Sequence, residues 1–422
     1  MMQKMIFQSM LSAVLKVAAA FVSFALTYIV ARELNILDAG YFLFCFALVS
    51  IFSMLFRLGL NDIILRVFGA NGLSGYANDV LSKSIQWIFI SSLLFSFIVF
   101  TFSDFISATV FSKAGMKDSL IWMMFSVPPI CLYSILGMAF QGIHRVTPAT
   151  LFQTLFHYSL FLIVLYVYLS TGDFIEANSS LFAKIFFITS LITLLASWLW
   201  WFRNPQARFG IQPLLDKDLW TSSSNLWSAT IMSLAVQWAA VLIAGIYLES
   251  EDLALLTTAQ RTSILVSFVL LVIGPVVAPR IARYWSEKKM AEIQRLSILS
   301  TRAMIFLVLP LALVMIFWSK SIMALFGDDF SQASYLLAIM VLGQLVNVST
   351  GVVGYLLNMT GHEVDYRIVS LFAGMFSILI SFIFTWQWGA IGAASAIAIG
   401  LSVQNIGAMY MVKKRLGFWT IG

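Results

Sequence analysis

Charge and reactive side chains are scarce in this chain of 422 residues. Only 10% of the residues are charged, and there are three histidines and two cysteines. Both cysteines, Cys45 and Cys131, lie in apolar runs, which is typical of buried small residues and not of a disulfide or metal site. The sequence shows no nucleophile–base pair, glycine-rich phosphate loop or metal-ligand spacing. It therefore predicts no resident metal or cofactor and argues against an enzyme.

Apolar residues are correspondingly abundant. They make up 61% of the chain, and the mean hydropathy is +0.94, values typical of proteins that cross a membrane many times. Backbone that faces lipid must satisfy its own hydrogen bonds, so each span should be a helix of roughly 20 residues. The apolar stretches predict an all-α polytopic membrane protein with twelve spans, at residues 9–31, 40–60, 80–102, 119–142, 148–170, 181–202, 222–248, 257–279, 299–318, 332–357, 366–387 and 391–412.

A weak internal repeat relates the two parts of the chain. Gly59, which precedes a basic turn, is matched by Gly274, and other pairs share its offset of about 214–219 residues. With six spans per repeat, we expect two six-helix halves around a central cavity. The halves are residues 1–203 and 222–422, joined by a cytoplasmic linker at residues 204–221.

Lysine and arginine are distributed unevenly between the two ends of the spans. Eighteen of the 25 fall on one side, six on the other, and one lies at mid-membrane. Because positive residues accumulate on the cytoplasmic side, both termini are predicted to be cytoplasmic. The net charge of +6 then reflects a basic face next to anionic membrane lipid, and it gives no reason to expect a nucleic-acid partner.

The first span carries a lysine near its middle. One narrow helical face collects the polar residues of this span, which are Ser9, Ser12, Lys16, Ser23 and Thr27. A lysine at this depth costs about 2.5–3.5 kcal/mol on insertion scales. Either this face lines a hydrated cavity that receives an anion, or Lys16 extends its stem to the nearer interface. Ser12 and Ser23 are candidate cavity residues with it.

Three further residues are candidates because of their position relative to the membrane. Arg261 lies just inside the eighth span and Arg32 ends the first, whereas no Asp or Glu lies well inside any span. Arg32 and Arg261 therefore join Lys16 as candidate cationic residues of the cavity. His157, the only histidine at membrane depth, is either a hydrogen-bonded residue or one that titrates near neutral pH.

Amide side chains form a stripe along the tenth span. Gln344, Asn347 and Asn358 share one face of the predicted helix. Such amides suit either helix–helix packing or hydrogen bonds to sugar hydroxyls. The polar stripe of the fourth span favours packing. Two proline pairs, Pro128–Pro129 and Pro275 with Pro279, are expected to interrupt the fourth and eighth spans as hinges or static kinks.

Several segments resemble one family, the bacterial O-antigen and polysaccharide repeat-unit flippases of the multidrug/oligosaccharidyl-lipid/polysaccharide exporter superfamily. The similar segments are Val30–Leu34 with Asp38–Tyr41, Arg57–Leu60, Ala259–Arg261, Gly389–Ala396 and Arg415–Gly417. The chain departs from this pattern in the seventh span, where Gln237 and Trp238 stand in place of an acidic residue found in many relatives.

The resemblance implies a flippase for an undecaprenyl-diphosphate-linked oligosaccharide such as an O-antigen repeat unit of lipopolysaccharide. It implies alternating access, cargo movement from the cytoplasmic to the periplasmic leaflet of the bacterial inner membrane, and other polysaccharide-assembly membrane proteins as partners. A multidrug exporter of the same superfamily is the main alternative, although its pocket would be expected to contain a carboxylate. A polysaccharide polymerase or ligase is a third reading, disfavoured by short outer loops without histidine.

The charge distribution makes the topology testable. Alkaline phosphatase fused after Gly115, Gly172 or Asp328 should be active, because all three sites are predicted to lie on the periplasmic side. Fusions to the basic loops should be inactive. Cytoplasmic signals at two of the three sites would overturn this orientation.

Overall fold

A computed structural model describes residues 2–170, 177–213 and 216–421; Gly172, one of the fusion sites named above, lies outside them. In these residues every regular element is helical. The α-helices are α1 Met2–Glu33, α2 Ile36–Leu55, α3 Leu60–Asn71, α4 Gly75–Thr101, α5 Lys117–Phe125, α6 Val127–Gly142, α7 Val146–Thr150, α8 Phe156–Ser170, α9 Ser179–Trp201, α10 Lys217–Tyr247, α11 Ser250–Ser286, α12 Met290–Phe317, α13 Ser319–Ala324, α14 Ser334–Ser349, α15 Val353–Met359 and α16 Glu363–Leu416. Short π and 3-10 turns connect them at Phe105–Val110, Ala114–Met116, Leu151–Leu155 and Asp328–Ala333.

Eleven helical segments of the described chain are long and apolar enough to cross a membrane. The last, α16, has 54 residues and would extend about 80 Å at 1.5 Å per residue, far beyond a hydrocarbon core of about 30 Å. Gly389 breaks it with a non-helical φ of 56° and ψ of −133°. This segment therefore crosses twice, and the prediction of an all-α protein with about twelve spans is confirmed.

The two limbs of α16 run antiparallel. Gln404 donates a hydrogen bond to Ser370 Oγ at 3.1 Å, and Arg415 pairs with Asp365 at 2.8 Å. Both contacts join residues far apart in sequence that lie on opposite sides of the turn at Gly389, 19 and 15 residues from it in the first pair and 24 and 26 in the second. The last two spans are therefore a helical hairpin without a loop.

Capping side chains and aromatic packing define the helices of the N-terminal part. Asn35, Ser74 and Asn178 accept hydrogen bonds from the first turns of α2, α4 and α9, which satisfies backbone N–H groups there. Phe42 of α2 is fully buried and packs edge-on against Phe182 of α9 at a ring distance of 6.0 Å. Helix α2 is thus a central helix of this part.

The chain divides into two compact units, residues 1–230 and residues 231–422, which we call the N-terminal and C-terminal units. The division falls within α10 and not in the linker at residues 204–221. Part of that linker packs on α4: Asn78 donates to Gln206 O at 2.9 Å, and Lys83 pairs with Asp216 at 2.8 Å. Residues 214 and 215 lie outside the described chain. The predicted halves stay a prediction.

Helix breaks occur at some of the expected places and not at others. The fourth span is interrupted at Ser126, before Pro128 and Pro129, because a proline has no N–H to continue the helix. The eighth span is not interrupted, since α11 continues through its two prolines; that expectation is wrong. Transmembrane helices tolerate such prolines when other groups satisfy the freed carbonyls.

The tenth span has a break that we did not predict. Helix α14 ends at Ser349, Gly351 has a φ of 80°, and α15 begins at Val353. A left-handed residue turns the chain out of helical register, so residues on either side no longer share one face. The expectation of a continuous amide stripe from Gln344 to Asn358 is therefore wrong.

The hairpin turn gives a stability prediction. A side chain at Gly392 would collide with the carbonyl oxygen of Phe384, a backbone atom that cannot move aside. We expect Gly392→Ala to lower the free energy of unfolding by about 1–3 kcal/mol. Gly69→Ala is the control, because a methyl group there meets no atom within 4 Å and favours helix by about 0.5–1 kcal/mol. Thermal unfolding in detergent measures both; equal midpoints would contradict the prediction.

Candidate functional site

The polar face of α1 is turned toward the protein. Thr27 is 1% exposed and donates to Ser23 O at 3.2 Å, and Lys16 is half-buried, whereas Val14 and Phe21 on another face are 63% and 70% exposed. Helix α1 packs on α2, α7 and α8 with its less exposed side. The predicted polar face thus exists over the described side chains; the side chain of Ser12 lies outside them.

The three cationic candidates occupy different positions. Lys16 forms none of the ion pairs found in the described part of the chain. Arg32 is exposed at the end of α1, with its guanidinium 5.8 Å from the centre of the Tyr28 ring. Arg261 is half-buried in α11 of the C-terminal unit. The structure places Lys16 and Arg261 at depth within their own units, and Arg32 at a helix end.

Sequence reasoning missed Arg57 as an interior cation, because we counted it among the inner-side loops. The side chain is half-buried, and its Nε donates to Ser53 O at 2.9 Å. The signal was present in the spacing, since a residue four positions after Ser53 at the end of a helix can return to that carbonyl.

His157 is held in a hydrogen-bonded site. It is 3% exposed, with Nδ1 at 3.1 Å from the Tyr133 hydroxyl and Nε2 at 3.1 Å from Phe186 O. A carbonyl only accepts, so Nε2 carries the proton and Nδ1 accepts from Tyr133. This arrangement suits a neutral imidazole that joins α6, α8 and α9. Titration of His157 near neutral pH stays a prediction.

The C-terminal unit contains a cavity of about 240 Å³, which we call the amide pocket. Its polar wall combines four amides, one indole and one hydroxyl, from Gln237, Trp238, Gln260, Ser267, Gln344 and Asn347. Two of these were predicted as cavity residues. Asn358, the third member of the predicted stripe, is exposed on α15 and is not part of the wall. The sequence did not predict the contribution of α10 and α11 to the pocket, because the residues on the face of one helix do not show which other helix packs against it.

One amide of this pocket has an unsatisfied atom. Gln260 is 4% exposed, and its Nε2 donates to Gln237 O at 3.0 Å, but its Oε1 has no hydrogen-bond partner among the described residues. A buried polar atom left without a partner costs about 1–3 kcal/mol. Gln260, which lines the pocket, therefore has an acceptor atom that is closed off and unused in this structure, and a turn of the side chain would be needed to present it to a bound donor.

A second cavity, of about 770 Å³, lies in the N-terminal unit. Its wall is mostly apolar and includes Leu58, Ile90, Leu94 and the edge-on pair Trp87 and Trp220, whose rings are 5.4 Å apart. Such a wall offers dispersion contacts and few hydrogen bonds. In the described residues, no group of three or more His, Cys, Asp or Glu could hold a metal ion.

The site of His157 gives a prediction that distinguishes a permanently neutral, hydrogen-bonded imidazole from one that titrates near neutral pH. Tyr133→Phe leaves Nδ1 of buried His157 without a donor, so the free energy of unfolding should fall by about 1–3 kcal/mol. Tyr410→Phe, at a side chain that is 56% exposed, is the control and should change little. The stability lost in Tyr133→Phe should be the same from pH 6 to 8 if the imidazole stays neutral. A loss that varies over this range would support titration.

Comparison with known proteins gives both family and fold. A sequence model of the family described as polysaccharide biosynthesis protein matches residues 4–285, and one of the MatE family matches residues 226–387. The probable low-salt glycan biosynthesis flippase Agl15 of Haloferax volcanii is 22% identical over 246 residues, covering 56% of this chain. The match spans 50% of that curated relative, about half of its length.

Solved structures resemble the chain over almost its whole length. The lipid II flippase MurJ in an inward closed conformation has a TM-score of 0.79 at 14% identity, over 96% of this chain and 87% of that one. An inward-facing multidrug resistance MATE transporter of the MOP superfamily has a TM-score of 0.75 at 14% identity, over 96% and 98%. A MOP superfamily transporter from Pyrococcus furiosus, whose title describes a binding pocket of reverse polarity, has a TM-score of 0.69 at 13% identity, over 97% and 94%.

At such identities the structural likeness shows the fold alone, which this chain shares with MurJ and with the two MOP superfamily transporters. The matched sequence model covers about two thirds of the chain and includes Lys16, Arg57 and Arg261. The chain therefore belongs to the polysaccharide biosynthesis protein family.

Proposed function

We propose that this protein is a flippase that moves an undecaprenyl-diphosphate-linked oligosaccharide from the cytoplasmic to the periplasmic leaflet by alternating access. Membership of the polysaccharide biosynthesis protein family supports this, as do the flippase names of Agl15 and MurJ. The relatives are transporters, so the chemistry that this proposal requires is binding and release, not bond formation. The cargo is an O-antigen or related polysaccharide repeat unit.

The observation that carries the proposal is the half-buried Lys16 in the middle of the first span. A lysine at this depth costs about 2.5–3.5 kcal/mol to insert, and among the described residues no carboxylate pairs with it. A cargo that carries a diphosphate supplies the missing negative charge. Charge-assisted hydrogen bonds to phosphate are worth about 1.5–3 kcal/mol each.

Two arginines extend this reasoning. Arg261 is half-buried in α11, and Arg57 is half-buried with its Nε donating to Ser53 O. Arginine presents a planar set of donors that matches two phosphate oxygens at once, whereas lysine acts as a point charge. We assign Lys16 and Arg261 to headgroup binding and add Arg57 as a third candidate. Arg32 is a weaker candidate because it is exposed, and Ser12 stays a candidate whose side chain lies outside the described ones.

A multidrug exporter is the second candidate, favoured by the MatE match to residues 226–387 and by the MATE structures among the neighbours. The lining of the amide pocket counts against it. Its wall includes no carboxylate for a cationic drug, and its volume of about 240 Å³ lies below the roughly 300–1,000 Å³ typical of drug-sized pockets. The apolar cavity of about 770 Å³ falls within that range, but the carboxylate in its lining, Asp216, is already paired with Lys83.

The proposal includes location and orientation. The protein resides in the bacterial inner membrane with both termini cytoplasmic, which the charge distribution supports. Other membrane proteins of polysaccharide assembly are its expected partners, because the product must be consumed on the periplasmic side. Lipopolysaccharide synthesis is the pathway class that fits an O-antigen cargo.

Substitution of the cations tests the proposal. In a strain that lacks its own flippase, the wild-type chain should restore surface polysaccharide. Lys16→Ala and Arg261→Ala should weaken cargo binding by about one to two orders of magnitude and reduce export, since each loses one charge-assisted contact. Lys16→Glu should abolish export because it places like charges together, and Lys16→Arg should retain part of it.

Lys184→Ala is the matched control, because Lys184 is an exposed lysine near the end of a span, 5.7 Å from the Trp122 ring. It should export like the wild type, with membrane levels of all variants compared by immunoblot. Full export by the alanine and glutamate variants of both Lys16 and Arg261 would refute headgroup binding. Drug resistance without polysaccharide export would favour the multidrug alternative.

A further inference from the structure

The amide pocket brings together side chains from three separate helices. Gln237 and Trp238 come from α10, Gln260 from α11, and Gln344 with Asn347 from α14. Gln260 lies about 15 Å along the helix from the start of a segment that is long and apolar enough to cross a membrane. A polar cavity at this depth must be satisfied by water or by a ligand, because the surrounding hydrocarbon offers no hydrogen bonds.

The hydrogen bonds within the pocket leave both donors and acceptors available. Asn347 Nδ2 donates to Gln344 Oε1 at 3.2 Å, and both side chains line the cavity, so this bond leaves the Gln344 amide nitrogen and the Asn347 amide oxygen for other partners. Gln260 uses its nitrogen on Gln237 O and leaves Oε1 without a partner among the described residues. A ligand that fits this set must donate and accept at several neighbouring positions, as a group of hydroxyls does.

The volume of the pocket and the charge of its lining further restrict the class of ligand that it can bind. The volume of about 240 Å³ corresponds to about eight water molecules, room for one sugar ring. No acidic or basic side chain is part of the described lining, so nothing there would balance the charge of a uronic acid or an amino sugar. Half-buried Trp238 adds an indole surface, against which the C–H groups of a sugar ring can pack.

We infer that the amide pocket is a subsite for one uncharged pyranose residue of the cargo. This inference rests on the proposed flippase function. It assigns the diphosphate and the sugar of the cargo to different groups of residues. The cations Lys16 and Arg261 bind the diphosphate, whereas Gln260, Gln344 and Asn347 bind sugar hydroxyls and Trp238 packs on the ring. Gln260 is the key acceptor, because a bound hydroxyl would satisfy its buried oxygen.

Binding of simple glycosides to the purified full chain in nanodiscs tests this directly. The probes are the methyl glycosides of glucose, galactose and N-acetylglucosamine, with methyl glucuronide as the charged comparison. At least one neutral glycoside should raise the thermal midpoint of the wild type, and glucuronide should not. Gln260→Leu should weaken this binding by about 3- to 10-fold, the loss of one or two uncharged hydrogen bonds. Trp238→Leu should weaken it as well.

Gln404→Leu is the matched control. Gln404 is a buried glutamine of the same unit that donates to Ser370 and does not line the pocket. Its variant should bind glycosides like the wild type even if it is less stable. Without sugar, Gln260→Leu should lower the midpoint less than Gln404→Leu does, because the bond to Gln237 O that it loses is offset by removal of a buried oxygen that has no donor. A purely structural glutamine would show the opposite pattern.

Polysaccharide export by the same variants completes the test. Gln260→Leu and Trp238→Leu should reduce export several-fold at equal membrane levels, and Gln404→Leu should retain export in proportion to its level. A wild type that binds no neutral glycoside, or pocket variants that bind and export like the wild type, would overturn the subsite alone. Failure of the wild-type chain to export any polysaccharide would instead overturn the proposed function, whatever the glycosides do.

Discussion

Within the hydrocarbon of a bilayer, every buried backbone N–H and C=O needs a partner from the chain itself. This requirement explains why the described residues form helices, why the connections are short and why the interruptions are few. Small hydroxyl residues obey the same requirement. Ser84, Ser92, Thr257 and Thr262 each donate to the carbonyl four residues earlier, so they are buried without needing any partner outside their own helix.

Polar groups that are not satisfied within their own helix differ from these hydroxyls, and they indicate where a ligand could bind. Lys16 carries a charge that no described carboxylate balances, and Gln260 has a buried oxygen without a donor. Both lower the stability of the protein by itself. Such groups are expected where a bound ligand supplies the missing contacts. Lys16 requires an anion, whereas the oxygen of Gln260 requires a donor such as a hydroxyl.

Local features of the sequence predicted much of the fold, because span length, charge bias and helical period depend on neighbouring residues. They located the helical spans, with ends that differ from those of the helices by up to nine residues, identified the inward face around Thr27 and selected Gln344 and Asn347. They failed where packing between helices determines which residues come together. The helical wheel assumed that the tenth span is continuous, but Gly351 breaks it and separates Asn358 from the other amides. Gln260 gave no signal by itself, since its role arises only where α10, α11 and α14 meet.

The hairpin at Gly389 also constrains how the C-terminal unit can move. Its two limbs are joined without a loop and are tied by the contact between Gln404 and Ser370 and by the ion pair of Arg415 with Asp365. Sliding one limb past the other by a single helical turn of about 5.4 Å would break both contacts. Residues 363–416 should therefore move as one rigid body in which the two helical limbs keep their register. Any rearrangement during a transport cycle must rotate both limbs together.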